Sequence, residues 1–467
     1  MKKKRLLIYE LNEVPKKIII DFIKKRPSST LATLIKEGSF LETYTSDQEE
    51  LHPWSTWPTV YRGVNNKLHN IRFINQDLNF ANNKYPPVWE ILEKSNINIG
   101  IFGTLQSYPP KSSKNYNFYV PDTFAPTKKT HPEYLNSYQD FNLQLANENK
   151  AQSNSIGLKS LILFSKLILS GNIGKIAFLK ILIHMACEII NKDYKKRRSF
   201  IQNLLGFGLY FKLIERYKPT FTTFFTNHVA STMHRYWKDT YPNDYTKQKN
   251  INEFNSRLIF NSMELVDSQL KKLKRYCENN NSDLWVISSM GQKAIERGKY
   301  IPETTLTNFE NLIKALNLPL ENYKLLPAMQ PDICIKCKDN SSRNLLKSSI
   351  KNINDLNNQK VLIERYSQNS LYVNYSISTS INLSISKKVV FKNKVYDIKE
   401  FGLKIITRDQ GTAYHSRDGI FISNKNLNQI FNLDNNDCID TRIISQMILN
   451  FFKIPIPFYM NSDNHNK

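Results

Sequence analysis

The chain has 467 residues, 40% hydrophobic and 12% aromatic, with a formal net charge of +24 at pH 7. That size and apolar content exclude a disordered chain and fit a large globular unit carrying insertions. The excess of 65 Lys and Arg over 41 Asp and Glu points to anionic partners, but basic residues are spread throughout. No zinc-finger, helix-turn-helix or aromatic ribonucleoprotein pattern accompanies them, so nucleic acid is not an expected partner. Five cysteines (Cys187, Cys277, Cys334, Cys337 and Cys438) are few and odd in number, which excludes a disulfide scaffold and fits a reducing compartment. Cys334-Ile-Lys-Cys337 has no second pair and no nearby histidine, and is assigned no role.

The start, Met1-Lys-Lys-Lys-Arg5, resembles a signal-peptide head. The apolar run behind it, Leu6-Leu-Ile-Tyr9, is broken by Glu10 and is too short for an export segment, so a cytoplasmic location is expected. That run has strand length and ends in carboxylates, Glu10 and Glu13. Apolar spacing predicts helices over 16–26 and 31–38, the second stopped by Gly38. A helix over 88–94 then feeds a buried strand over 97–103, the rhythm of a parallel sheet. The first α/β part is placed at 1–110.

Between 111 and 215 the rhythm breaks, and this segment is expected to be a helical insertion or cap. Within it, 156–190 is apolar but interrupted by Lys159, Lys166, Lys175 and Lys180, and Ser170-Gly-Asn172 divides it into two helices, so it is not a membrane span. Lys192, Lys195, Lys196, Arg197 and Arg198 follow. Two readings stand: a helical cap on the core, or an amphipathic hairpin over 156–198 resting on an anionic membrane surface, peripheral at its inner face. The second core part is placed at 216–330, with strands over 222–228 and 284–291 and a helix over 251–276. Asparagine-rich alternation places a small β-rich insertion at 331–405. The last core part is 406–467, with a strand-rich stretch over 412–422 and a helix over 441–452.

The most informative stretch is His52-Pro-Trp-Ser-Thr-Trp-Pro-Thr-Val-Tyr-Arg-Gly63, followed by Leu68-His-Asn-Ile71. It gathers hydroxyls, aromatics, a glycine and a histidine into a turn-and-helix pattern. With the opening strand, with Tyr414-His-Ser-Arg-Asp-Gly-Ile-Phe-Ile422, and with the closing Ile439-Asp-Thr-Arg and Lys453-Ile-Pro-Ile-Pro457, it matches in order the alkaline phosphatase superfamily. The chain especially resembles the type I phosphodiesterase and nucleotide pyrophosphatase-like branch. The resemblance covers roughly the core half of the chain and leaves both insertions unmatched. A sub-group found among genes for bacterial surface polysaccharides is similar in its Glu-Leu-Asn-Glu opening and Pro-Trp-x-x-Trp turn.

The resemblance implies an α/β core with a mainly parallel central sheet flanked by helices, and a metal-dependent hydrolase or transferase of a phosphoester or related anionic group. A hydroxyl at a helix start would attack, with divalent metal activating it. Ser55 and Thr56 are the preferred nucleophile candidates and Thr59 a third. Glu10, Asn12, His228, His234 and His415 are the candidate metal ligands, for zinc or manganese. Trp54, Trp57 and Asn227 are candidates for substrate contact, although two tryptophans at i, i+3 also fit a core pair.

The departures are specific. Where the family has Ser-Asp-His-Gly this chain has Ser288-Ser-Met-Gly291, so two ligands are missing at Ser289 and Met290. Ala230 stands where an aspartate is expected before His234, with Asn227 and His228 as possible substitutes. One metal site is therefore expected rather than two. The alternative is a catalytically inactive protein of the same fold that binds an anionic glycan, a nucleotide or a membrane surface.

Overall fold

In the computed structural model, which describes residues 4–150, 175–246, 251–297, 303–329, 332–365, 374–379, 386–406, 411–427 and 438–461, the opening apolar run becomes the strand Arg5–Leu11 inside an eight-stranded sheet. Across the sheet the order is Cys438–Asp440, Ser39–Tyr44, Asp418–Ser423, Ser282–Ile287, Arg5–Leu11, Phe221–Thr226, Ile99–Phe102 and Tyr116–Val120. Neighbours are parallel except that Asp418–Ser423 runs against both Ser39–Tyr44 and Ser282–Ile287. This is the expected mainly parallel α/β core. Its inner strands are covered on both faces, which is why Leu6 to Tyr9 and Leu284 to Ile287 read as unbroken apolar runs.

Alternation along the central strand divides the interior into two layers. Leu7, Tyr9 and Leu11 pack with Phe224, Met263, Leu270 and Tyr210. Leu6 and Ile8 face Trp57, Val60, Tyr61 and Trp285. Glu10 shares the parity of Leu6 and Ile8, so its carboxylate enters the layer of the helix Pro53–Arg62, where Tyr61 hydroxyl donates to it. The parallel strands bring their C-terminal ends to one rim, the usual place for a site in such sheets. Asn12 and Glu13 leave the first strand there, Asn227 and His228 leave Phe221–Thr226, and Ser288 and Ser289 leave Ser282–Ile287.

The insertions differ from the expected boundaries in two places. Tyr116–Val120, inside the segment 111–215 read as helical, is an edge strand of the main sheet. The helix Arg198–Tyr217 from the same segment buries Leu205, Tyr210, Leu213 and Ile214 in the core. The β-rich segment begins before 331, because Glu303–Leu306 pairs with Leu403–Ile406. Between them lies a four-stranded sheet in the order Leu362–Glu364, Asn374–Thr379, Asp332–Cys337, Tyr323–Leu326. Its apolar cluster is its own, built from Ile333, Ile335 and Ile377 with Leu312, Ile313, Leu346 and Ile350 of two short helices. A hydrophobic cluster of this kind marks a small lobe, which also touches the first core part where Leu326 and Cys334 pack on Phe73.

Of the predicted apolar stretch over 156–190, residues 156–174 lie outside the described residues, including the expected break at Ser170-Gly-Asn172. The remainder is the helix Lys175–Ile190. Leu179, Leu182, Ile183, Ile189 and Ile190 on it are exposed. No described helix is long and apolar enough to cross a membrane.

Candidate metal centre

Glu13 follows the central strand in the left-handed region, with φ 59. For a residue with a Cβ that conformation costs roughly 1 kcal/mol or more, and here it turns a carboxylate from the strand end toward two histidines. His234 Nε2 lies 2.9 Å and His415 Nε2 3.5 Å from Glu13 Oε2. Among the described residues these three form a group whose ligating atoms all lie within 4.8 Å of one another. They come from three elements far apart in the chain: the turn after Arg5–Leu11, the helix His228–Thr240, and the strand Ala413–Ser416, which pairs with Gly291–Ala294.

The tautomers follow from the partners of the other ring nitrogens. His234 Nδ1 is 3.0 Å from the Ala413 carbonyl and His415 Nδ1 2.6 Å from the Leu51 carbonyl. A carbonyl oxygen only accepts, so each Nδ1 carries a proton and donates it. In the neutral rings both Nε2 lone pairs then converge on the Glu13 carboxylate. Three electron-rich atoms facing one another are stable only with positive charge between them, as imidazolium protons or as a metal ion, and backbone carbonyls behind ligating imidazoles are a common metal-site arrangement. Two imidazole nitrogens and a carboxylate suit zinc or manganese.

The surroundings hold this geometry. Glu13 accepts from Asn12 Nδ2 at Oε1 (2.9 Å) and from Gln292 Nε2 at Oε2 (2.5 Å). Asn12 Nδ2 also donates to Asn227 Oδ1 at 2.7 Å, and Asn12 Oδ1 accepts from Trp57 Nε1 at 2.8 Å. Burial alone would raise the Glu13 carboxyl, but the His415 and His234 charges overcome it and hold it well below the ordinary carboxylate range. Burial likewise opposes charge on His234, and the Glu13 carboxylate raises that imidazole above its ordinary value. Beside His415 a cleft of about 680 Å³ is lined by Tyr414, Glu50, Lys293 and Arg417 among others.

The other sequence-predicted residues take different places. Glu10 is fully buried, accepts from Tyr61 and from Thr104 Oγ1 at 2.8 Å, and is pushed by burial up to about 8, so it stands as a neutral acid outside the triad. His228 is a core histidine: Nδ1 meets Thr226 Oγ1 at 2.6 Å, Nε2 the Ser262 carbonyl at 3.1 Å, and burial lowers it to about 4. Ser55 Oγ donates to Asp47 at 3.3 Å and Thr59 Oγ1 to Asp47 at 2.6 Å, while Thr56 Oγ1 pairs with Ser289 Oγ at 2.8 Å. All three hydroxyls are buried. Trp54 and Trp57 are buried too, the first donating to the Arg72 carbonyl and the second to Asn12. Asn227 is exposed beside Asn12.

The structure thus unites His234 and His415 but puts them on Glu13, which sequence reasoning had passed over as a ligand. The parity of the strand was the available signal, since a residue in step with Leu6 and Ile8 cannot share the rim with one beyond the strand end. Ser289 and Met290, standing where two ligands are missing, are buried and supply no second ligand set.

No family model matches the chain, and no curated protein matches it in sequence. Solved structures do resemble it. Phosphonoacetate hydrolase from Sinorhizobium meliloti 1021 is 11% identical with a TM-score of 0.44, covering 96% of each chain. Murine ectonucleotide pyrophosphatase/phosphodiesterase 5 is 9% identical with a TM-score of 0.40, over 97% of this chain and 96% of that one. Alkaline phosphatase from the Antarctic bacterium TAB5 is 9% identical with a TM-score of 0.39, over 97% and 99%. All three belong to the alkaline phosphatase superfamily. At these values they are similarities of outline, and the fold assignment rests on the sheet order and strand directions given above.

Proposed function

We propose that the chain is a metal-dependent hydrolase or transferase of a phosphoester or related anionic group, with one divalent ion, zinc or manganese, held by Glu13, His234 and His415. The observation that carries this reading is the convergence of two imidazole lone pairs, each fixed by a backbone carbonyl, on one buried carboxylate. A divalent ion there supplies Lewis-acid polarisation of a phosphoryl oxygen. Gln292 and Asn12 hold the carboxylate that anchors it, and the exposure of Asn227 beside Asn12 supports a role for it in substrate contact. Ser55 and Thr56 are the hydroxyl candidates for nucleophile; either must leave a buried hydrogen bond to attack. A phosphorylated glycan is one substrate class in keeping with the surface-polysaccharide resemblance.

Turnover of p-nitrophenyl phosphate or bis-p-nitrophenyl phosphate with added zinc or manganese, abolished by chelator and by Glu13→Ala, is the expected result. A folded, metal-loaded protein that turns over neither ester, yet binds phosphate or nucleotide, would favour the inactive binding-protein reading instead.

A specific observation favours a peripheral membrane seat. On the helix Lys175–Ile190, Leu179, Leu182, Ile183 and Ile190 recur at helical spacing and are exposed, and Lys192, Lys195, Lys196 and Arg197 follow at once. An apolar face beside cations suits the interface of an anionic bilayer. Co-sedimentation with vesicles containing phosphatidylglycerol, weaker with phosphatidylcholine alone and lost in Leu179→Asp/Ile183→Asp, is expected; equal partitioning of wild type and variant would remove the proposal.

A further inference from the structure

The cleft beside His415 is walled by two hydroxyls that bond to nothing in the chain. Thr43, on the strand Ser39–Tyr44, and Ser416, on Ala413–Ser416, both line it. Thr43 is fully buried and Ser416 8% exposed, yet neither Thr43 Oγ1 nor Ser416 Oγ has a hydrogen-bond partner among the described residues. Each faces a glycine across its strand pair, Thr43 opposite Gly419 and Ser416 opposite Gly291. A Cβ on those glycines would lie 2.6 Å from Thr43 Oγ1 and 3.1 Å from Ser416 Oγ. Burying a hydroxyl without a partner is costly, and at the wall of a cleft the partner that remains is a ligand.

The charged groups around the cleft narrow the kind of ligand. Glu42, Glu49, Glu50 and Asp418 line it against Lys293 and Arg417. Arg417 Nη1 donates to the Thr45 and Asp47 carbonyls at 3.0 and 2.6 Å, so carboxylates prevail and a further anionic group is disfavoured there. Three of the carboxylates are in turn paired within the chain: Glu42 with Lys16 at 3.0 Å, Glu49 with Arg72 at 3.0 Å and Glu50 with Arg365 at 3.3 Å. That pairing weakens the case for a cationic ligand. Two hydroxyls that can each donate and accept, between carboxylates that accept and a lysine that donates, match alcohol groups. Tyr44, 41% exposed, adds aromatic surface to the same wall, and about 680 Å³ is the size of a small-ligand site.

We propose that this cleft binds the sugar of a sugar phosphate, through Thr43, Ser416 and Asp418; for the place of the phosphoryl group this rests on the hydrolase reading above. Ser416 follows His415 directly in the chain, and adjacent Cα atoms are only about 3.8 Å apart, so a sugar hydroxyl on Ser416 and a phosphoryl oxygen at the Glu13–His234–His415 centre are neighbours. The substrate class is then an ester whose alcohol side is an uncharged, hydroxyl-rich ring. A nucleoside di- or triphosphate is selected against, because its further phosphates would meet the carboxylates of the cleft.

The test sets the 1-phosphates of glucose, galactose and mannose against cyclohexyl phosphate, an ester of similar ring size without the hydroxyls, on the full-length, metal-loaded protein. Phosphate release gives kcat/KM for each ester and titration calorimetry gives its affinity. At least one hexose 1-phosphate should be preferred over cyclohexyl phosphate by about tenfold or more. Thr43→Val and Ser416→Ala should each lower that ratio about fivefold, with metal content kept and the urea midpoint no lower than in wild type, since these hydroxyls have no internal bond to lose. Equal kcat/KM for the hexose and cyclohexyl esters, or a ratio unmoved by both substitutions, overturns the proposal and leaves the hydrolase reading intact. Turnover of neither ester, with a hexose phosphate still bound in preference and weakened by both substitutions, upholds the cleft assignment and removes the hydrolase reading. Neither turnover nor binding overturns both.

Discussion

Replacing Glu10 by glutamine separates a buried acid from the metal centre it was expected to join. Its Oε1 accepts from Tyr61 and Thr104, and its Oε2 has no hydrogen-bond partner among the described residues. Burial raises its pKa from 4.5 to about 8, against the hydrogen bonds that favour the anion. Between those values the folded chain holds a proton that the unfolded chain has lost. Stability from this group is therefore complete below about pH 4.5, declines by about 1.4 kcal/mol per unit as pH rises, and is spent above about pH 8. Over that window the loss is about 5 kcal/mol at most. Glutamine keeps the shape without ionising, so the advantage of Glu10→Gln over wild type should grow by several kcal/mol between pH 5 and pH 9. Urea unfolding followed by tryptophan fluorescence reads this difference directly, with metal content measured on the same samples. A difference independent of pH would refute the buried-acid argument, and loss of metal in Glu10→Gln would return Glu10 to the ligand set.

Two further substitutions test how the helix beside the site is held. Asp47 accepts from Thr59 Oγ1 at 2.6 Å, from the Asn66 amide at 2.9 Å and from Ser55 Oγ; Asp47→Ala leaves these donors buried and should destabilise the chain by about 3 kcal/mol in chemical denaturation, with metal content unchanged. Gly63 ends the same helix at φ 66, and a Cβ there would lie 2.6 Å from Ser445 Oγ and 2.8 Å from Met460 Cγ. Gly63→Ala should lower stability by roughly 1–3 kcal/mol in the same assay, and an unchanged midpoint would show that the closing helix yields.

The core was legible because its strands are buried on both faces: Leu6-Leu-Ile-Tyr and Leu284-Trp-Val-Ile identify themselves by unbroken apolar content, and the spacing of Ile18, Ile19 and Phe22 identifies the first helix. Tyr116–Val120 was not legible, since an edge strand of five residues in a polar stretch gives little periodic signal. The lobe boundary was missed because the pair that closes it, Glu303–Leu306 with Leu403–Ile406, joins segments about a hundred residues apart. At the site, His234 and His415 could be picked out by their motifs. Strand parity set Glu10 with Leu6 and Ile8, but the turn of Glu13 toward the two histidines depends on where the strand stops and on its left-handed backbone, which the sequence does not display.

Elemental analysis of the purified protein, replete with zinc and manganese and then desalted, tests the central claim most directly. About one ion per chain is expected for a single three-ligand site, retained in Glu10→Gln and His228→Gln and lost in Glu13→Ala, His234→Ala and His415→Ala. A well-folded wild type that holds no metal, or a Glu13→Ala variant that keeps it, would contradict the account.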